Sequence, residues 1–151
     1  MSTNAFQPAN PDFEARVRDS FARQPFMAFI GAELAAVEPG FCEIHLPYRP
    51  ELTQQHGYVH GGALATLADN AAGYAAFSLM PTDASVLTVE YKLNIMRPGL
   101  GDKMTARARV IKAGRTITVV ESNVFGARDG KEVMCVTSIQ TIMALHGRAD
   151  A

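Results

Sequence analysis

The chain has 151 residues, 48% of them hydrophobic and 19% charged, which is enough apolar side chain for one buried core and too little length for two. Its 14 basic and 15 acidic residues leave a net charge of −1, spread without blocks of one sign, which argues against a nucleic-acid partner. No apolar run approaches the ~20 residues of a membrane span, and residues 1–10 lack the basic start and apolar stretch of a secretory signal, so a soluble, cytoplasmic protein is expected.

In chain order, residues 11–24 carry Phe13, Val17 and Phe21 at helical spacing, with acids at the favoured negative end, and predict a short amphipathic helix. Residues 33–37 and 41–46 read as strands joined at Glu38-Pro39-Gly40, a β-hairpin. Residues 47–59 hold two prolines and neither period, and read as an irregular loop. From Gly61 to about Leu79 the chain is alanine-rich and small on nearly every face, the composition of a long helix enclosed by other elements. Four strands follow, over residues 84–96, 102–113, 116–127 and 131–145, each with one face richer in apolar residues. The economical fold is α+β, a curved antiparallel sheet wrapped around the alanine-rich helix. The expected boundaries are a tail and short helix over 1–25, a domain over 26–145 and a frayed tail over 146–151.

Two positions on the long helix carry chemistry. Gly61 lies at its start, where backbone N–H groups lack intrahelical partners and the absent side chain lets a carbonyl oxygen approach. Asp69 places a carboxylate in the middle of a small, apolar helix, where burial is costly without a task. Eight residues at ~1.5 Å each separate the two by about 12 Å, so both cannot touch one carbonyl within one chain. If both act in one reaction, the site is shared across a two-fold dimer. Cys42 and Cys135 read as buried free thiols, and His45, His56 and His146 as surface or loop groups without metal-ligand spacing.

The ordered set Phe29-Ile30-Gly31-Ala32, Pro39-Gly40, His60-Gly61-Gly62, Leu67-Ala68-Asp69-Asn70, Asn94-Ile95-Met96-Arg97-Pro98 and Gly101-Asp102 resembles the hotdog-fold thioesterases, in particular the phenylacetate-degradation type, over about residues 26–145. Two positions depart from common versions of the pattern: Gln54 stands where Asn is frequent, and the helix acid is Asp69 where related branches use Glu. The resemblance implies hydrolysis of an acyl-CoA thioester by a homodimer, or a tetramer of two dimers, with no cofactor and no metal.

Thioester hydrolysis needs a donor for the developing oxyanion and a base or nucleophile aimed at the carbonyl carbon. On that pattern the Gly61 N–H polarises the carbonyl, and Asp69 serves as general base or as nucleophile. Gln54 orients the water or the carbonyl, while His60 either binds the thioester region or fixes the loop. Thr88 matches a hydroxyl near the catalytic carboxylate. Gly62, Asn70 and Met96 line the substrate, and the methionines, among them Met80 and Met96, offer an adaptable lining, although core filling is the expected role of most of them. Arg97 and the turn Gly114-Arg115-Thr116 supply phosphate contacts. Two other functions compete: a hotdog hydratase or dehydratase on an acyl thioester, and a non-catalytic acyl-CoA-binding dimer. The second typically carries an added DNA-binding segment, and none fits before Phe26.

Overall fold

Pro25 divides the N-terminal region. In the computed structural model, which describes residues 6–150, the helix read from the sequence over 11–24 forms over Phe13–Ala22, and a second short helix not read from the sequence follows it. Helix α1 (Phe13–Ala22) stops short of Pro25, whose ring cannot extend a helix but suits a first turn, and Pro25 opens α2 (Pro25–Ile30). Helix α2 ends at Gly31, where the Gly31 and Ala32 N–H groups return to the Ala28 and Met27 carbonyls at 3.1 and 3.0 Å. Six residues are too few to display a helical period, so the pattern in the sequence passed over α2.

The hairpin forms as expected, with β1 (Glu33–Glu38) against β2 (Phe41–Pro47), and four long strands follow: β3 (Ala84–Ile95), β4 (Lys103–Ala113), β5 (Ile117–Arg128) and β6 (Lys131–His146). They make one antiparallel sheet in the order β1-β2-β4-β5-β6-β3. Strand β3 therefore lies at an edge, although β4 follows it in sequence. Its register with β6 shifts between Thr88 and Glu90, a bulge that leaves Val89 unpaired. Leu87, Val89, Tyr91 and Ile95 on this strand are each between 48% and 54% exposed, an apolar edge with no neighbour in the chain.

Helix α3 (Gly61–Phe77) lies across the sheet and is its core. Leu64, Leu67, Ala68, Ala71, Ala72, Ala75 and Ala76 are buried, against Val120, Val124, Val136 and Ile142 of the central strands. The alanines let the helix axis approach the sheet, and Leu64 and Leu67 each contribute about 2–3 kcal/mol through burial. Helix α1 locks the far end. The Arg16 guanidinium donates to Pro81 O at 2.8 Å and to Ala84 O, and stacks over Phe77 at 4.1 Å, which ties the segment following α3 to α1.

Four expectations need correction. The 47–59 loop contains a short 3-10 helix (Pro50–Leu52) and is pinned by bridges Thr53–Val59 and Val59–Gly99. His146 ends β6, with its Nε2 at 2.8 Å from Arg115 O, and Asp150 pairs with Arg23 at 2.8 Å, so the frayed tail read from 146 is in part tied down. His45 is partly buried, with Nε2 2.7 Å from the Glu43 carboxylate, rather than a free surface group. Met80 fills the core at 4% exposure, the role expected of most methionines, and does not serve as lining. Cys42 and Cys135 are buried free thiols, as expected.

Candidate active site

His60 is the N-cap of α3. Its extended backbone (φ −60°, ψ 137°) aims the ring back at the helix, and Nδ1 accepts the Gly62 N–H at 2.9 Å. The neutral ring therefore carries its proton on Nε2. The bond the structure gives the His60 ring is to the first turn of its own helix. His60 takes the Gly62 donor, and the Gly61 N–H is a first-turn donor with no acceptor among the described residues.

Gly61 faces a hollow of about 360 Å³ whose walls include Gln54, Tyr58, Ile95, Met96 and Arg97. A Cβ at Gly61 would come within 2.8 Å of Ile95 Cδ1, the tip of a side chain that would have to move aside, so glycine leaves the approach to that N–H unobstructed. Gln54 is held at both ends. Its N–H donates to Tyr58 O at 2.9 Å, and its Oε1 accepts the His56 N–H, which turns the amide NH₂ into the group left for a ligand.

Asp69 lies two turns further along α3, in a separate hollow of about 280 Å³ shared with Asn70, Gly73, Tyr74, Thr88 and Gln24. Its Oδ1 is buried without a hydrogen-bond partner. Burial pushes the Asp69 carboxyl above the ordinary carboxylate range, and the Thr88 hydroxyl beside it pulls the other way by favouring the charged form. A desolvated carboxylate with raised proton affinity is suited to take a proton from water or to attack a carbonyl. Asn70 points instead into a polar chain: its Nδ2 donates to Gln24 Oε1 at 2.9 Å, Gln24 Nε2 donates to Tyr74 Oη at 2.6 Å, and Tyr74 lies 3.0 Å from Ser20 Oγ.

The two hollows have no lining residue in common. The site residues read from the sequence thus fall into two groups. Gln54, His60, Gly61, Gly62, Met96 and Arg97 gather at the start of α3, and Asp69, Asn70 and Thr88 at its middle. The 114–116 turn belongs with the second group: Thr118, just beyond it, pairs with Ile142, which pairs with Thr88. Arg97 and Arg115 therefore stand at opposite ends of the sheet within one chain. Among the described residues no three His, Cys, Asp or Glu side chains gather as a metal site.

Sequence reasoning missed Gln24, Tyr74 and Tyr58. Tyr74 was accessible in principle, since Asn70 and Tyr74 stand one helical turn apart. Gln24 reaches Asn70 from 46 residues away, a contact no local pattern encodes.

Residues 56–139 match the sequence profile of the Thioesterase superfamily. An acyl-coenzyme A thioesterase, PaaI, of Escherichia coli is 30% identical over 123 residues, covering 80% of this chain and 79% of that protein. A 1,4-dihydroxy-2-naphthoyl-CoA hydrolase of Listeria monocytogenes is 28% identical over 108 residues, covering 72% of this chain and 86% of its own. The crystal structure of a thioesterase family protein from Silicibacter pomeroyi superposes with a TM-score of 0.88 at 49% identity, covering 89% of this chain and 99% of that one.

Proposed function

The chain belongs to the thioesterase superfamily and is a hydrolase of acyl-CoA thioesters, and we propose that it performs this reaction at a site divided between two copies of itself. The observation that carries the proposal is the separation of the free Gly61 N–H from the desolvated Asp69 carboxyl, in two hollows along one helix. The edge strand β3 touches both, with Thr88 in the Asp69 hollow and Ile95 in the Gly61 hollow.

Antiparallel pairing of β3 with a second β3 about its midpoint, near Tyr91 and Lys92, sets Thr88 of one copy opposite Ile95 of the other. The same pairing covers the half-exposed Leu87, Val89, Tyr91 and Ile95. Asp69 of one copy then meets the Gly61 donor of the other.

In that frame the Gly61 N–H, aided by the positive end of α3, stabilises charge on the thioester oxygen. Gln54 offers its amide NH₂ to the carbonyl or to the attacking water. Asp69 of the second copy either deprotonates the attacking water or attacks the carbonyl carbon itself to give a mixed anhydride that water then hydrolyses, and in both routes the CoA thiolate leaves and is protonated. Thr88 favours the charged form of the Asp69 carboxylate against the larger effect of burial, and Gly62, Asn70 and Met96 shape the surroundings of the acyl group. Gly114, Arg115 and Thr116 come to the site with the Asp69 half, and Arg97 with the Gly61 half, so both ends of the sheet reach one CoA only in the dimer. The CoA moiety arrives as substrate and the reaction consumes only water. A hydratase would need a histidine base at this position. The His60 Nδ1 is already occupied by the Gly62 N–H and its Nε2 bears the proton.

Free-thiol release from a panel of acyl-CoA esters, with wild type and Asp69→Ala compared, tests the assignment. The variant is expected to lose at least about 10³-fold in kcat while keeping a light-scattering mass of two or four chains. Wild-type turnover by Asp69→Ala, or a single-chain mass under assay conditions, contradicts it.

A further inference from the structure

After β3 the chain does not turn directly into its neighbour but crosses the end of the sheet toward β4. The Met96 N–H donates to Cys135 O on β6 at 2.8 Å, and the Asp102 N–H to Ala127 O on β5 at 2.9 Å. The crossing lies flat on β5 because Gly126 has no side chain; a Cβ there would be 2.1 Å from Leu100 O. Between the crossing and the β5–β6 hairpin opens a hollow of about 260 Å³, lined by Arg97, Pro98, Leu100, Arg128, Lys131 and Val133.

Three cations ring this hollow. Arg128 and Lys131 are direct register partners across the tight turn at Asp129-Gly130, whose φ values of 51° and 73° suit a two-residue hairpin. Like charges placed opposite each other destabilise a hairpin. Among the described residues neither cation, nor Arg97, has a carboxylate within 4.0 Å; the hydrogen bond of Arg97 is a 3.3 Å contact to Met134 O. Elsewhere on the sheet the chain neutralises such a charge, as where Arg107 sits between Glu43 and Glu132 at 2.6 and 2.7 Å. The hollow is apolar as well as basic. Leu100 and Val133 are 50% and 51% exposed at its mouth, a surface for a flat aromatic ring.

We infer that this hollow binds the nucleotide end of CoA, with the adenine base against Leu100, Pro98 and Val133 and the phosphates held by Arg97, Arg128 and Lys131. The inference rests on the acyl-CoA hydrolase reading and deepens it. Arg97 and Pro98 line both this hollow and the one at Gly61, so a pantetheine arm leading away from a carbonyl at Gly61 passes Arg97 and delivers its phosphates to the two cations of the hairpin. Phosphate recognition by Arg and Lys together explains why an otherwise unfavourable like-charge pair is maintained there.

The test compares hexanoyl-CoA with S-hexanoyl-N-acetylcysteamine, a thioester without nucleotide, on the full chain and on Arg128→Ala/Lys131→Ala. The double variant is expected to lose at least tenfold more in kcat/KM on hexanoyl-CoA than on the nucleotide-free ester, chiefly through KM. Adenosine 3′,5′-bisphosphate is expected to inhibit the wild type competitively and the variant at least tenfold more weakly. Equal losses on both esters show a structural role, and no loss on hexanoyl-CoA shows no role; either overturns the inference. A loss confined to hexanoyl groups carried on an acyl carrier protein also overturns it, in favour of an acidic protein partner. If wild type hydrolyses neither ester, the hydrolase reading fails by itself, and calorimetric binding of adenosine 3′,5′-bisphosphate, lost in the double variant or not, then decides for or against the hollow.

Discussion

The two hollows along α3 supply opposite kinds of chemistry from one helix. At Gly61 the functional group is a backbone N–H, positioned by the first turn and without an acceptor among the described residues. At Asp69 it is a side chain whose charge the fold disfavours, since one carboxylate oxygen is buried without a partner. A backbone donor is rigid and independent of pH, whereas a buried carboxylate is tunable and unstable. Splitting them along a helix gives each its own environment, and on the proposed reading the two meet only across a pair of chains.

The sharpest way to break this comparison is subunit mixing. Gly61→Pro removes the N–H at a position where proline suits a first helical turn, and the His60 backbone already has the extended conformation that a following proline requires. That variant and Asp69→Ala are each expected to be at least about 10²–10³-fold impaired. Mixed and allowed to exchange in equal amounts, they should regain about a quarter of wild-type activity, because half the dimers are mixed and each holds one intact site. Recovery of nothing, in a mixture shown to exchange, removes the divided site.

A smaller effect concerns Thr88. Its hydroxyl favours the charged form of Asp69, so Thr88→Val should raise the Asp69 pKa further and lower activity near neutrality by about tenfold. Because the base works ionised, the rate rises with pH through that pKa. The rising limb of kcat against pH should lie above the ordinary carboxylate range in wild type and move higher still in the variant. An unmoved limb separates Thr88 from the carboxylate.

Stability tests the same half from the other side. The raised pKa means that folding favours protonated Asp69, a contribution fully present below the unfolded-state value and lost as pH rises through the folded one. Asp69→Asn should therefore melt a few degrees higher than wild type at pH 8, with the advantage shrinking as pH falls toward 4. A lower melting temperature at pH 8 contradicts the burial argument. Smallest of all, His60→Ala should cost about 1 kcal/mol of unfolding free energy through the lost cap, read by denaturant titration; no change there denies the cap its role.

How much of this was legible in the sequence depends on the range of the contact. Period-two alternation revealed all six strands to within one residue at either end and the alanine-rich run revealed α3, because both signals are local. Gly61 and Asp69 stood out for the same reason, one by its place at a helix start and the other as a charge among alanines. Helix α2 escaped notice because six residues hold less than two turns. The edge position of β3 was hidden as well, since pairing order depends on where the 96–101 crossing runs and not on strand composition. The partners Gln24 and Tyr74, and the facing cations Arg128 and Lys131, became visible only when the fold brought distant segments together or set the hairpin register. Arg97 and Arg115, read together as phosphate contacts, proved to lie at opposite ends of one chain.

The bulge at Val89 has a consequence of parity. Val86 and Thr88 face the Asp69 side of the helix, while Leu93 packs on the core and Ile95 touches Gly61. Thr88 and Ile95 are an odd number of residues apart, so a regular strand would turn one of them outward. The extra residue restores the phase, and β3 thereby works as a ruler with a one-residue correction, holding both half-sites on the same face. Deleting Val89 would leave the two residues six apart in a regular strand, still on one face, so what the bulge supplies is one extra residue of length between Thr88 and Ile95 at unchanged phase.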